Sequence, residues 1–191
     1  MTTAEPRALG ALDASRAIAR ALLAAGAFAA MLTLAAQVRI PLPFTPVPIT
    51  LQTFALYIGG AWLGGRIAVT GLALYVGAAL VGIPVLSGWR GGMAAFSGAT
   101  GGYIVGWLLA LLLLGMLFNG QRPRWAASVG AMLGASSLIL FCGALHLALL
   151  LDLGPAEAFL MGVAPFLPGD AVKIFSASAA VRRWPNPFGF R

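Results

Sequence analysis

Charge is the scarcest property of this 191-residue chain, since Asp, Glu, Lys and Arg together make up 9% of it, against roughly 25% in an ordinary soluble domain. That excludes a soluble globular protein. There is one cysteine, Cys142, so no internal disulfide, zinc ribbon or iron–sulfur cluster can be assembled from thiolates, and the redox compartment stays unread. There is one histidine, His146, and no Ser/His/Asp arrangement can be argued from it. Cys142 and His146 stand four apart on what reads as a helix, but two ligands do not make a metal site, and the pair is expected to pack and hydrogen-bond. There is one lysine, Lys173, and no Gly-Lys-Ser/Thr, which excludes ATP binding through a P-loop. No catalytic constellation, metal site or cofactor site is apparent.

What is present in excess is apolar. Sixty per cent (60%) of residues are hydrophobic and 25 are glycine, with a mean hydropathy of +0.93. This is the composition of helices packed closely in a bilayer, where small residues let backbones approach. Stretches near the roughly 20 residues that cross a bilayer recur at about 19–38, 49–64, 66–83, 101–118, 126–151 and 156–181. The last is interrupted by Pro165, Pro168 and Gly169, which predicts a short re-entrant or interfacial piece and then a helix from near Pro168, where a proline forfeits no hydrogen bond. The expected fold class is an all-α membrane protein with six transmembrane helices. It divides into a tail at 1–18, a membrane domain at 19–184 and a tail at 185–191.

The net charge of +7 is a matter of topology. With the N-terminus inside, one side receives Arg7, Arg16, Arg20, Arg66, Arg122, Arg124, Arg182, Arg183 and Arg191, and the other only Arg39 and Arg90. Cytoplasmic flanks collect such residues, so an even number of spans with both termini cytoplasmic is expected, and nucleic-acid binding is not. The first residues lack the apolar core and cleavage site of a signal peptide, and no cleavage is expected.

Polar residues inside spans are functional candidates. Asp170 and Lys173, three apart in PFLPGDAVK, share one helix face. Lys173 lies about 13 Å along the helix from Arg182 at 1.5 Å per residue, well inside the membrane. The pair reads either as a self-neutralising structural ion pair or as a donor and acceptor for a polar ligand, beside a broken backbone that lines a cavity. RIPLPFTPVPIT holds Pro41, Pro43, Pro46 and Pro48, and should be stiff and extended, leading into a helix that carries Thr50, Gln52 and Thr53 in its first turns. GIPVLSGWRGGMAAFSGATGGY is rich in glycine and suits a lid that approaches a ligand closely. Both also read as ordinary connections. Ser128, Ser136 and Ser137 read as hydrogen-bonding contacts between helices. Ala17, Ala21, Ala25 and Ala29 form a small-residue stripe, for a contact inside the bundle or with a partner.

PLPFTPVPITLQTF, GIPV with the glycine-rich run ending GATGGY, and PFLPGDAVK, in this order, resemble the BioY family, the biotin-specific S components of energy-coupling-factor vitamin transporters. The resemblance covers about residues 20–182. The family usually reads Gly-Pro-Thr-Gly-Gly-Tyr where this chain has Ala99 in place of proline. The resemblance implies a six-helix component of the bacterial plasma membrane that captures biotin from outside and delivers it inward. Its implied partners are a transmembrane coupling protein and ATP-binding cassette ATPases, or further copies of itself, with Ala21, Ala25 and Ala29 on the partner face. Set against biotin's chemistry, Asp170 would accept from the ureido N–H groups and Lys173 would donate to an oxygen. Arg90, Gln52 or loop backbone N–H groups would meet the carboxylate, Tyr103 would pack the bicycle, and Thr50 would be a further substrate contact. An S component for another vitamin, or a membrane-embedded enzyme, is the alternative.

Overall fold

The computed structural model describes residues 5–118 and 124–184. Arg122, Arg191 and the tail at 185–191 lie outside the described residues, as do residues 1–4. The chain runs through α1 (Glu5–Gln37), an antiparallel ribbon of β1 (Arg39–Leu42) and β2 (Thr45–Thr50), and α2 (Gln52–Leu80). There follow a short α3 (Ala94–Ser97), α4 (Gly101–Phe118), α5 (Trp125–Leu151), α6 (Pro155–Gly162), a 3-10 turn (Ala164–Phe166) and α7 (Leu167–Arg183). Among the described residues, five helical stretches are long and apolar enough to cross a membrane. The helix of α1 extends back to Glu5, although its apolar stretch starts at Ala14.

α2 is two legs. At Gly64 the backbone takes φ 72° and ψ 166°, a region essentially closed to residues with a side chain, and the chain turns back. Gln52, at the start of one leg, donates to the Tyr75 hydroxyl on the other at 2.8 Å. Phe28 of α1 fills the gap beside both legs, because Gly59 and Gly71 leave room for its ring. Residues 65–80 make about 24 Å of helix at 1.5 Å per residue.

Large apolar side chains divide between two environments. Leu32, Leu56, Leu111, Leu114, Met132, Ile139 and Leu147 are fully buried, while Leu23, Leu34, Met116, Phe141, Leu149 and Val172 stand exposed along the same helices. In water such an exposed surface would drive aggregation; in hydrocarbon it needs no partner.

The final apolar stretch is broken as its prolines predict. α6 ends at Gly162, Val163 has φ −127° and ψ −62°, and the 3-10 turn leads into α7 with Pro168 in its first turn. The proline-rich segment is extended, but as a ribbon rather than a single strand, an element outside an all-α fold. Arg39 pairs with Thr50, Ile40 with Ile49 and Leu42 with Thr45, and the register shifts at Pro41, where a missing N–H would break a regular ladder.

The serines divide. Ser128 and Ser137 donate back to Arg124 O and Leu133 O within their own helix, so they do not join helices as expected; Ser136 does. The small-residue stripe is also corrected at one position. Ala25 is completely buried against Gly71 of the same chain, so it offers no surface to a partner, whereas Ala21 and Ala29 are half-buried.

Candidate functional site

The ribbon, both legs of α2, the loop after α2, and α4, α5 and α7 enclose a cavity of about 730 Å³ of non-atom space, its mouth included. All six residues that the sequence points to as ligand contacts line it: Thr50, Gln52, Arg90, Tyr103, Asp170 and Lys173. The separate motifs of the sequence are thus brought to one place.

The charged part is built around Asp170. The break before α7 puts this residue in the first turn, where a carboxylate meets the unpaired N–H groups of a helix start. It is 4% exposed. Its Oδ2 accepts from the Ser136 hydroxyl of α5 at 2.7 Å. Its Oδ1 accepts from Lys173 Nζ at 3.2 Å and from the Thr53 hydroxyl at 3.4 Å. Lys173 also donates to Thr53 Oγ1 at 2.9 Å. Both charges are held, and α2, α5 and α7 are tied together through them. Such a pair is tolerable in a low-dielectric site only because each member has several partners.

Above it, Thr50 donates to Gln52 Oε1 at 3.1 Å and Gln52 donates on to Tyr75, which fixes the amide's orientation. Tyr103 donates to Gly162 O at 2.8 Å and packs its ring 5.9 Å from that of Phe166, so its polar end is occupied and its face is left for an apolar group. Val47, Leu86, Ile104, Trp107, Ile139 and Leu140 supply the rest of an apolar wall.

Arg90 comes from the glycine-rich loop, on a turn fixed from several sides. Leu86 and Arg90 exchange backbone hydrogen bonds at 2.9 and 3.4 Å, across Gly88 and Trp89, both at positive φ. Gln37, at the end of α1, donates to Leu86 O at 3.2 Å and accepts from Trp89 N at 3.3 Å. Arg90 Nε donates to Ser87 O at 3.1 Å. At the far end of the same loop, His146 meets Gly98 O at 3.1 Å, so the lone histidine anchors the segment that precedes α4.

Thr53, Tyr75, Ser87, Trp107 and Ser136 belong to this site and were not singled out as ligand contacts from sequence. Thr53 and Ser136 were on view, one beside Gln52 and one among the helix-joining serines. Two cavity-lining groups, Ser87 Oγ and Trp107 Nε1, are buried and have no hydrogen-bond partner among the described residues.

A family model described as the BioY family matches residues 5–189. Among curated proteins, the chain is 33% identical over 147 residues to a biotin transporter BioY of Rhizobium etli, covering 73% of this chain and 78% of that one. It is 35% identical over 169 residues to a biotin transporter BioY of Rhodobacter capsulatus, covering 82% and 88%. Among solved structures it resembles the crystal structure, at 2.1 Å, of the S-component for biotin from an ECF-type ABC transporter. That match has a TM-score of 0.81 and 28% identity, over 88% of this chain and 92% of the other.

Proposed function

The chain belongs to the BioY family and is a biotin transporter, a multi-pass protein of the plasma membrane and not an enzyme, and on that premise we propose how its own residues hold the ligand. The ureido ring sits at Asp170 and Lys173, with its N–H groups donating to the carboxylate and its carbonyl accepting from the ammonium. The thiophane ring packs on Tyr103 and the apolar wall, and the valerate carboxylate reaches Arg90, near Thr50 and Gln52. The observation that carries this reading is a largely buried, fully partnered ion pair and a separate arginine lining one cavity together with an apolar wall. Charge-assisted hydrogen bonds of this kind are worth about 1.5–3 kcal/mol each.

The test is thermal stabilisation of detergent-purified protein by biotin, desthiobiotin and biotin amide, for wild type and Lys173→Ala. A ligand that binds only the folded state raises apparent stability. Stabilisation of wild type by biotin, largely lost in Lys173→Ala, and weaker stabilisation by the amide are expected. An undiminished response in Lys173→Ala overturns the placement.

The chain crosses the membrane six times with both termini cytoplasmic, the two legs of α2 each counting once. Two features support this: the reversal at Gly64, and the arrangement of arginines, with Arg66, Arg124, Arg182 and Arg183 at the end of the bundle remote from Arg39 and Arg90. In a Cys142→Ser background, Gly154→Cys reacts with an impermeant maleimide added outside and Trp184→Cys does not. Equal reaction of both refutes the topology. The partners are a transmembrane coupling protein with its ATPases, met by α1 through Ala21 and Ala29. Support comes from the match to an S-component of an ECF-type transporter. Uptake by this chain expressed alone, in cells lacking any coupling protein, contradicts it.

A further inference from the structure

Trp107 lies on α4, one turn beyond Tyr103. Its side chain is 7% exposed, it lines the cavity, and its ring stands 6.3 Å from that of Tyr75 at a tilt of 46°. A buried indole N–H ordinarily finds an acceptor, and leaving one unpaired is destabilising. Trp107 Nε1 has none among the described residues. The nearby acceptors are engaged: Tyr75 with Gln52, and Asp170 with Ser136, Thr53 and Lys173.

The depth of Trp107 follows from packing on α5. Gly102 abuts Cys142 and His146, and Gly106 abuts Ile139, so α4 runs antiparallel to α5. Ser136 bonds Asp170 and Ser178 bonds Met132, so α7 runs antiparallel to α5 as well, and α4 and α7 are parallel. Tyr103 and Phe166 are in ring contact. Four residues further along the chain from each, about one helical turn, are Trp107 on α4 and Asp170 in the first turn of α7.

We infer that the Trp107 indole N–H donates to the ureido carbonyl oxygen of biotin, as a second donor beside Lys173. A carbonyl oxygen has two lone pairs and accepts two such bonds. This rests on the reading of the cavity as the biotin site, and it makes Trp107 a residue that selects for an oxygen at the ureido carbon.

The experiment measures affinities of the full-length purified protein for biotin, desthiobiotin, biotin amide and 2-iminobiotin, with wild type and Trp107→Phe. Phenylalanine keeps an aromatic ring beside Tyr75 and removes the donor. Biotin and desthiobiotin are expected to bind about fivefold to tenfold more weakly, the effect of one neutral hydrogen bond, with the biotin-to-amide ratio unchanged. 2-Iminobiotin, protonated at neutral pH, carries a donor in place of the ureido oxygen, so its loss is smaller and the biotin-to-iminobiotin ratio narrows. Unchanged biotin affinity overturns the inference. A loss for biotin but not for desthiobiotin, which moves the bond to sulfur, also overturns it, as does a changed amide ratio, which moves it to the carboxylate. Should Trp107→Phe fail to fold, indole-¹⁵N-labelled wild type serves instead. One of its five indole N–H resonances shifts downfield with biotin and not with 2-iminobiotin, and five unmoved resonances sink the proposal. Failure of the cavity reading itself is distinguishable, because wild type would then show no biotin binding or Lys173→Ala would leave it intact.

Discussion

Asp170→Asn isolates the charge of the central pair with almost no change in volume. In the wild type the carboxylate is 4% exposed and accepts from Ser136 at 2.7 Å, Lys173 at 3.2 Å and Thr53 at 3.4 Å. Asparagine turns one acceptor oxygen into an NH2 group, which faces a donor whichever way the amide is set. With its oxygen at the Oδ1 position the amide still accepts from Lys173, which also keeps Thr53 at 2.9 Å, but it supplies no counter-charge. Breaking a buried pair in this way destabilises by about 3–5 kcal/mol, and the surviving Thr53 bond argues for the lower end. For the ligand, a charge-assisted bond from an ureido N–H is lost, about 1.5–3 kcal/mol, or roughly 10- to 150-fold in Kd. The assay is biotin titration by calorimetry in detergent, with the melting temperature of the ligand-free protein measured alongside. The double variant Asp170→Asn/Lys173→Met separates the two effects: removing the stranded cation recovers part of the stability and none of the affinity. Biotin affinity within twofold of wild type in Asp170→Asn, or binding restored in the double variant, refutes the role given to the pair.

Four further outcomes are expected. Thr53→Val is isosteric and removes the hydroxyl that bonds both Lys173 and Asp170, so biotin affinity falls about fivefold to 30-fold, for one or two hydrogen bonds, which equilibrium dialysis reads directly. Gln37→Ala frees the turn that carries Arg90 from its two anchoring hydrogen bonds; dissociation of biotin accelerates several-fold in stopped-flow, with little change in melting temperature. Gly64→Ala meets no atom within 4 Å, yet stands at φ +72°, so its destabilisation of about 1–3 kcal/mol is conformational. Gly26→Ala in α1 also meets nothing within 4 Å and should be neutral or slightly stabilising by thermal melting.

The sequence made the spans legible because hydrocarbon imposes length and apolarity on every crossing segment, and the ends at 118 and 151 follow from that alone, while the last helix runs to Arg183, past the apolar stretch that ends at 181. The reversal at Gly64 showed only as the junction between two apolar stretches, since Gly-Gly-Arg carries no hydropathy signal for a sharp turn. The ribbon was legible as extended, because proline fixes φ, but not as paired, because pairing depends on which residues face one another across Pro43 and Phe44. At the site, Asp170 and Lys173 stood out because charge is rare at that depth. Thr53, Ser136, Tyr75 and Trp107 did not, since hydroxyls and aromatic rings are frequent in apolar helices and only their convergence from different elements gives them meaning. The alanine stripe reads the same whether it meets a neighbour in the same chain or another chain, and burial of Ala25 resolves that one position.

The ribbon at the cavity has one further property. Leu51 N donates to Val38 O, so the N–H groups of odd-numbered residues in β2 point towards β1, and positions 46 and 48 point away. Both are proline. The outer edge of β2 therefore offers carbonyl oxygens but almost no donors, and a foreign strand laid against it would leave its own carbonyls unanswered. An open edge of this kind usually invites pairing with a neighbouring chain. Here the covering of the cavity is extended and yet, with Pro46 and Pro48 on that side, is a poor template for a peptide or for the ribbon of a second copy.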